Sequence, residues 1–424
     1  MTLDTIFALS SGPPPAGIGV MRISGPAAGA TLQALAGVLP PARRATYRTL
    51  RNVSGEPLDQ ALILWLPGPG TATGEDIAEL HLHGGRAIIA AVERELAAQP
   101  GLRSASPGEF TRRAFANGRI DLAEAEGLAD LLTAETELQR QAAMAAAGGL
   151  LSAQVEGWRI RLLHLAASLE AVLDFGDEDD VALPPSFMVD LAALAHDIDT
   201  ALAAPSADML REGFRVALAG PPNAGKSTLF NALVEQEAAI TAAIPGTTRD
   251  VLSRPVALAG IPFLLIDMAG LRDDSADPVE AIGIARAEAE IARADLVLWL
   301  GPEGRGPHGA WEIDAQSDRG ERQKSSAAMQ LSARTGERID VLRERLVEHA
   351  QTHMPKPGQA VLNLRQRTLL QTAEQALADA CHAADPLVQA ELLRMARVSF
   401  DRMVGRSGTE DVLDALFGRF CIGK

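Results

Sequence analysis

The chain has 424 residues, a net charge of −16 and 47% hydrophobic residues, enough for ordinary globular cores. At about 150 residues per domain this length predicts two to four domains, and the acidic balance argues against a wholly basic nucleic-acid coat. Two cysteines exclude a disulfide framework and fit a reducing compartment. No stretch is apolar for long enough to span a membrane and the first residues carry no secretion signal, so we expect a cytoplasmic protein without membrane segments.

The first segment, residues 1–118, alternates short apolar runs with glycine and proline turns. This alternation predicts an α+β domain with strands at 17–23 and 61–66. The turn-forming residues Pro67-Gly68-Pro69-Gly70 close the second strand. A helix is expected at 85–98.

Two segments have a helical pattern. Residues 119–212 carry apolar residues at helical spacing from about 120 to 171 and again from about 186, and the acidic run 175–180 between them is interpreted as a solvated loop. Residues 351–424 are helical from about 361. Residues 213–350 alternate strand and helix, which is typical of a parallel sheet. We therefore predict a helical domain in two parts with an α/β domain inserted between them.

The inserted segment contains the sequence Gly220-Pro221-Pro222-Asn223-Ala224-Gly225-Lys226-Ser227 after a predicted strand at 214–219. This spacing is typical of a nucleotide-binding P-loop. Its glycines turn backbone N–H groups toward phosphates, Lys226 supplies charge to the β- and γ-phosphates, and Ser227 offers a hydroxyl to Mg²⁺. Thr228 follows in a predicted helix whose N-terminus favours anions.

Three later segments follow in the order found in GTPases. Thr248, in Gly246-Thr247-Thr248, is a candidate switch residue that would complete the Mg²⁺ shell. Asp267-Met268-Ala269-Gly270 is a D-x-x-G sequence after a predicted strand at 261–266, with Asp267 holding Mg²⁺ through water and the Gly270 N–H on the γ-phosphate. Ser332-Ala333-Arg334 resembles the loop near the end of a GTPase domain that supports the guanine base, here called the late loop.

The guanine-reading motif N-K-x-D matches poorly. The best candidate is Ala315-Gln316-Ser317-Asp318, in which only the aspartate remains. Its carboxylate would accept the N1–H and N2–H of guanine, which adenine cannot match. Asp314 is a competing alignment, and a third interpretation is that neither aspartate touches the base. We expect weaker discrimination between GTP and ATP than an intact motif provides.

Asn223 occupies the fourth position of the P-loop, and its role depends on the residue that comes directly after D-x-x-G. That position is Leu271, which can neither orient the attacking water nor supply positive charge. An Asn223 side-chain oxygen beside the phosphates would help to hold a monovalent cation that offsets the transition-state charge. The alternative is that Asn223 only braces the loop by hydrogen bonding, and the residues alone leave both interpretations open.

Four segments of the chain resemble the tRNA modification GTPases of the MnmE (TrmE) family. They are residues 4–6 with 20–25, residues 73–79 with 83–85, residues 107–115 with 117–122, and the terminal Phe420-Cys421-Ile422-Gly423-Lys424. The resemblance covers nearly the full length. It implies an α+β N-terminal folate-binding and dimerisation domain, an all-α helical domain and an inserted Ras-like P-loop GTPase domain.

The same resemblance implies an activity. It implies a K⁺-stimulated GTPase that forms a homodimer and works in a heterotetramer with an FAD-containing partner of the MnmG/GidA type. Together they modify carbon 5 of the wobble uridine of certain tRNAs in a carboxymethylaminomethyl-type reaction, with 5-formyltetrahydrofolate or a related tetrahydrofolate as one-carbon donor. Two alternatives are a regulatory GTPase without modification chemistry and a folate-binding module with an impaired G domain.

The resemblance also implies the residues of each site. Glu280 would position the hydrolytic water, and Cys421 would lie near the modification centre in a redox or nucleophilic role. Arg22, Glu79, Arg119 and Lys424 would bind folate. The metal ligands implied are Asn223, Ala242, Ile244 and Thr247 for K⁺, and Ser227 and Thr248 for Mg²⁺. Ala243, Pro245 and Gly246 would complete the switch loop around GTP.

Overall fold

A computed structural model describes residues 4–175, 182–235, 252–268, 289–319, 324, 329–356, 358–407 and 410–424. The chain divides into two compact units. The first comprises Met1–Ala129 and Phe400–Lys424, and the second comprises Asp130–Ser399. Among the described helices, none combines the length and the apolar character that crossing a membrane requires.

The first unit is built on a six-stranded sheet. Its strands, in chain order, are β1 (Thr5–Leu9), β2 (Ile18–Ser24), β3 (Thr46–Arg51), β4 (Pro57–Leu66), β5 (Ile77–His83) and β6 (Leu102–Ser104). Their order across the sheet is β3-β4-β5-β2-β1-β6, and every pair is antiparallel except β1 with β6. Among the described strands, β3 has a neighbour on one side alone, so the other side of its backbone is unpaired there.

The first unit also contains helices. They are α1 (Ala28–Ala36), α2 (Arg86–Ala97), α3 (Glu109–Ala116), α4 (Leu122–Thr133) and, near the C-terminus, α13 (Glu410–Phe417). One sheet face carries Met21, Ile23 and Leu80, which pack with buried residues of α1 and α2. The other face carries Ile6 and Ala8, which pack with Phe110 of α3. The period-2 alternation of the strands therefore places apolar residues on both faces.

The second unit contains two groups of helices. Before its sheet come α5 (Glu137–Ala147), α6 (Leu150–Phe175), α7 (Phe187–Ala203) and α8 (Ala207–Glu212), and after it come α10 (Ile339–His353), α11 (Leu364–His382) and α12 (Pro386–Met403). A capping box of Thr136 with Gln139 begins α5, and one of Asn363 with Gln366 begins α11. Arg367 on α11 donates to two carbonyls at the end of α7. Helices that precede and follow the sheet in the sequence therefore pack together.

The sheet of the second unit also has six strands. They are β7 (Phe214–Ala219), β8 (Leu252–Leu258), β9 (Ile261–Asp267), β10 (Leu296–Trp299), β11 (Trp311–Asp314) and β12 (Met329–Gln330), and α9 (Lys226–Val234) follows β7. Their order is β12-β11-β10-β7-β9-β8, parallel throughout except for β8 with β9. The carboxyl ends of β7, β9, β10 and β11 therefore meet at one edge, where open α/β sheets bind ligands.

The element predictions are confirmed in outline. Strands β2, β4, β7 and β9 and helices α2 and α7 lie where the sequence predicts them, and the helical stretch 120–171 consists of three helices. The fold class is as predicted: an α+β N-terminal part, helices, and an α/β part with a P-loop. The four-segment division at residues 118, 212 and 350 remains a proposal, since the two compact units are coarser and place the C-terminal residues with the first.

Candidate nucleotide site and N-terminal site

The predicted P-loop lies at the carboxyl edge of the second sheet. It leaves β7 after Ala219 and enters α9 at Lys226. The parallel pairing of β7 with β9 sets Leu218 opposite Asp267, so the end of β9 stands beside the start of the loop. The strand–loop–helix context that the sequence predicts is therefore present.

Three positions of the P-loop have a positive φ, and Gly225 is one of them, at 93°. Gly220 has φ 151°, and a Cβ there would lie 3.0 Å from the Gly301 nitrogen, so only glycine fits. Asn223 has φ 62°, a left-handed conformation that asparagine adopts more readily than most residues. Gln316 Nε2 donates to the Asn223 carbonyl over 3.1 Å. Among the described residues, it is therefore the Gln316 side chain that holds this part of the loop.

The ammonium group of Lys226 lies at the P-loop. Its side chain is 7% exposed, and Nζ donates to the carbonyls of Gly220 over 2.9 Å and of Pro221 over 2.8 Å. The ammonium group therefore lies within the turn made by the P-loop. An anion bound in the loop would meet both this charge and the N-terminus of α9.

The two predicted Mg²⁺ groups of the loop and of β9 are in contact. Ser227 Oγ donates to Asp267 Oδ2 over 2.6 Å. Asp267 is fully buried at the end of β9, whereas Ser227 is exposed at the first turn of α9. A hydroxyl and a carboxylate that converge in this way are hard oxygen donors of the kind Mg²⁺ prefers.

The base-reading candidates lie next to the P-loop. Asp318 follows β11 in a short 3₁₀ turn, and its Oδ1 accepts a hydrogen bond from Ser332 Oγ over 3.0 Å. Arg334 NH1 lies 4.0 Å from Asp318 Oδ2. The backbone of Gln316 forms a bridge with Ser332, which ties the turn to the late loop. Asp318, Ser332 and Arg334, predicted from separate motifs, are thus brought together.

Asp314, the competing candidate, has a different environment. It is 4% exposed at the end of β11, and its carbonyl accepts from the Leu331 nitrogen over 2.9 Å. The Asp318 side chain is 20% exposed in a turn beyond the strand. A carboxylate on a turn is better placed to face a base than one packed within the sheet.

The first unit contains a cross-strand ion pair at a predicted folate position. Arg22 on β2 stands directly opposite Glu79 on β5, and its Nε and NH2 both donate to Glu79 Oε1, over 3.0 and 2.9 Å. The second oxygen, Oε2, lies 3.5 Å from His81 Nε2, beyond a good hydrogen bond. The Arg22 guanidinium also lies 5.9 Å from the ring centre of Phe110. Glu79 Oε2 is therefore able to accept from a ligand.

The other predicted folate residues lie in the same unit but apart from this pair. The stem of Arg119 packs at the site of Gly74, whose φ is 79° and whose Cβ would lie 3.1 Å from Arg119 Cγ. Lys424 is half-buried, and its nitrogen donates to the Cys421 carbonyl. In the described part of the chain, no hydrogen bond or ion pair joins Arg119 or Lys424 to Arg22 and Glu79.

The C-terminal tail is anchored on β1. Ser10 Oγ donates to the Gly423 carbonyl over 2.8 Å. Gly423 has φ 97°, and a Cβ there would lie only 2.3 Å from the Leu9 carbonyl oxygen, so glycine is required for this approach. Cys421, two residues earlier, is an exposed free thiol. Because Ala8 of β1 is in register with Arg22 of β2, the tail packs beside the sheet that carries the ion pair.

Several predicted residues lie outside the described part of the chain. They are Ala242, Ala243, Ile244, Pro245, Gly246, Thr247, Thr248, Ala269, Gly270, Leu271 and Glu280. Of the predicted K⁺ ligands the structure describes Asn223, and of the predicted Mg²⁺ ligands it describes Ser227.

Comparison with known families covers almost the whole chain. A model of the MnmE helical domain matches residues 122–421, and a model of the N-terminus of the GTP-binding protein TrmE matches residues 5–119. The chain belongs to the MnmE family. This confirms the resemblance seen in the four sequence segments.

Curated relatives agree with this assignment along their full length. The tRNA modification GTPase MnmE of Novosphingobium aromaticivorans is 62% identical over 99% of this chain and 100% of its own. That of Erythrobacter litoralis is 61% identical over 100% of both chains. That of Zymomonas mobilis subsp. mobilis is 50% identical, again over 100% of both.

Solved structures with some likeness include two GTP-binding proteins. The FeoB G-domain from Methanococcus jannaschii is 22% identical, covers 33% of this chain and 99% of its own, and has a TM-score of 0.24. A point variant of Era from Aquifex aeolicus bound to GDP·AlF4⁻ is 20% identical, covers 41% of this chain and 69% of its own, and has a TM-score of 0.25. Both scores are too low to support an inference about this MnmE-family chain.

Sequence reasoning missed two contacts in this MnmE-family chain. It treated Gln316 as a lost motif position, although its amide reaches the P-loop backbone. It also identified the tail only as a family signature, without the anchor from Ser10 to Gly423. The one available signal for Gln316 was its place two residues before Asp318, and nothing local to Ser10 indicated a partner 413 residues away.

Proposed function

We propose that this chain hydrolyses GTP as part of tRNA wobble-uridine modification. The observation that carries the proposal is the contact of Ser227 with Asp267 at the mouth of a loop that also holds the Lys226 ammonium. The curated relatives are named tRNA modification GTPases, and they match this chain end to end. An exposed turn with Asp318 beside the loop supports guanine as the base.

The residues of the loop divide the work of binding and orientation. Lys226 and the N-terminus of α9 would bind the phosphates. Ser227 would hold Mg²⁺ together with Thr248, a further proposed ligand, and Asp267 would hold it through water. When bound, Mg²⁺ would supply positive charge that offsets the charge of the phosphates. Glu280 is proposed to orient the attacking water, since Leu271 has no polar group for that role.

We further propose that Asn223 contributes to a K⁺ site. Its left-handed backbone, held by Gln316, keeps this exposed asparagine at the phosphate end of the loop. A bound K⁺ would supply the positive charge that an arginine supplies in other GTPases. Thr247 and the carbonyls of Ala242 and Ile244 complete the proposed ligand set.

GTP turnover in KCl and in NaCl at equal ionic strength, with Mg²⁺ present, tests this function. We expect turnover at least ~10-fold faster in K⁺, which corresponds to about 1.4 kcal/mol in the barrier. Equal rates in both salts would contradict the K⁺ site. Absence of turnover in either salt would favour a folate-binding module with an impaired G domain.

The tRNA part of the proposal concerns the partner and the donor. We propose a homodimer that works in a heterotetramer with an FAD-containing MnmG/GidA-type protein in the cytoplasm, with a tetrahydrofolate derivative as one-carbon donor. Mass analysis of wobble uridines from a strain lacking this protein tests it. Full modification in that strain would favour a regulatory GTPase without modification chemistry.

Folate binding is proposed for the unit that contains Arg22 and Glu79. Pterin amide and amine groups are donors, and Glu79 Oε2 receives no good hydrogen bond from the residues that the structure describes. Arg119 and Lys424 would supply cations for the glutamyl tail. The donor set therefore fits a tetrahydrofolate.

Glu79→Gln should weaken binding of 5-formyltetrahydrofolate roughly 10-fold or more, because hydrogen bonds to a charged group are lost. Isothermal titration calorimetry measures this change. Glu93→Gln, at an exposed position on α2, is the matched control and should bind as the parent does. Unchanged affinity in Glu79→Gln would remove Glu79 from the folate site, whatever the GTP turnover.

A further inference from the structure

The edge strand β3 and the loop before it carry a cluster of arginines, here called the arginine edge: Arg43, Arg44, Arg48 and Arg51. All four are exposed. In a chain of net charge −16, residues 5–55 contain no acidic residue at all. The arginine edge is therefore a local positive surface on an acidic protein.

The described partners of the arginine edge are backbone carbonyls and not carboxylates. Arg43 donates to the carbonyls of Pro67 and Gly70, Arg48 to that of Tyr47, and Arg51 to that of Gly55. Within the described residues none of the four arginines forms an ion pair with Asp or Glu. Other exposed arginines do, for example Arg140 with Glu137 and Arg394 with Glu391.

An exposed aromatic ring lies within the same edge. Tyr47, the one tyrosine of the chain, is 61% exposed, and its hydroxyl donates to Gln60 Oε1 over 2.7 Å. This bond orients the ring while its surface faces solvent. Leu62, opposite Tyr47 on β4, is 39% exposed and extends the surface. Arginine next to a fixed aromatic ring is the combination that contacts phosphates and unstacked bases in RNA.

A simpler explanation of the arginine edge is that its charges keep the edge strand from pairing with another strand. That explanation does not account for the residue types found there. Charges of either sign protect an edge, and an exposed tyrosine and leucine work against protection. A self-complementary contact between two copies centred here would oppose like charges. Among the described residues, the acidic groups near this strand have other partners: Glu56 bonds Asn52, and Glu95 accepts from the Val53 nitrogen. Asp59 on β4, opposite Leu50, accepts from the His83 nitrogen.

We propose that the arginine edge binds the phosphate backbone of the tRNA substrate, with Tyr47 against a base or ribose. The inference rests on the proposed function, which makes tRNA the substrate. Strand β3, Thr46–Arg51, extends over about 17 Å, enough to follow consecutive phosphates. RNA is favoured over a protein partner because un-neutralised guanidinium groups match a polyanion.

The experiment measures binding of an in vitro transcribed tRNA with a wobble uridine to the full chain at 50–300 mM KCl. Arg44→Ala/Arg48→Ala should weaken binding at least ~10-fold. The slope of log K against log salt concentration should become less steep by about 1.5, because each lost phosphate contact lowers that slope by roughly 0.7–0.9. The control Arg140→Ala/Arg394→Ala removes the same charge from α5 and α12 and should change affinity less than ~2-fold. Tyr47→Ala should weaken binding without changing the slope.

GTP turnover in each variant separates this inference from the proposed function. Parent-like turnover with equal tRNA affinity and slope in both double variants would overturn the arginine edge and leave the GTPase assignment intact. Sedimentation velocity measures self-association of the same variants. If Arg44→Ala/Arg48→Ala no longer self-associates but keeps its tRNA affinity, the arginine edge is a protein contact and the RNA assignment is overturned. No tRNA binding by the parent would also overturn it.

Discussion

Asp267→Asn should lower GTP turnover roughly 100-fold, equivalent to about 2.7 kcal/mol in the barrier. Asp267 is fully buried and accepts the Ser227 hydroxyl proton, so the substitution changes charge at the point where Mg²⁺ is proposed to bind. An amide keeps the shape and one acceptor oxygen but has no negative charge for a divalent cation. We therefore expect the Mg²⁺ concentration for half-maximal turnover to rise.

Turnover against Mg²⁺ concentration checks this prediction. Asp295→Asn is the matched control, because this exposed aspartate precedes β10 at the opposite end of the sheet and accepts from the Arg215 nitrogen. The control should keep the parent Mg²⁺ dependence. A normal Mg²⁺ curve and rate in Asp267→Asn would show that the Ser227–Asp267 contact serves structure alone.

Asp318→Asn should weaken guanine-nucleotide binding by roughly 10- to 100-fold and leave adenine-nucleotide binding unchanged. A carboxylate that accepts two guanine N–H groups makes charge-assisted bonds, each stronger than a neutral one. Ser332→Ala should give a smaller loss, about 5-fold, because Asp318 loses the hydroxyl that holds its Oδ1. Competition binding with GDP and ADP measures both affinities.

The two candidate aspartates are separated by the same measurement. Asp314→Asn should lower thermal stability, since Asp314 is buried at the end of β11, and should keep the GDP/ADP ratio of the parent. A fall of that ratio in Asp314→Asn but not in Asp318→Asn would establish the competing alignment. Strong exclusion of ADP by the parent would contradict weak discrimination by the degenerate motif.

Local patterns in the sequence were sufficient for the elements that carry the site. Strand β7, the glycine spacing of the P-loop and helix α9 are consecutive, so their geometry follows from nearby residues. The D-x-x-G aspartate was found because it ends an apolar strand. The base motif was harder, because only one of its three usual residues remains in Ala315-Gln316-Ser317-Asp318.

Residue types and their spacing were enough to identify the family, the P-loop and the absence of acidic residues from residues 5–55. Only the tertiary structure showed Gln316 on the Asn223 carbonyl, Ser332 on Asp318, and Gly423 against Leu9. It also showed that the arginine edge has no carboxylate partner among the described residues. These facts join atoms distant in sequence, and such contacts depend on which strands are neighbours, which spacing along the chain does not encode.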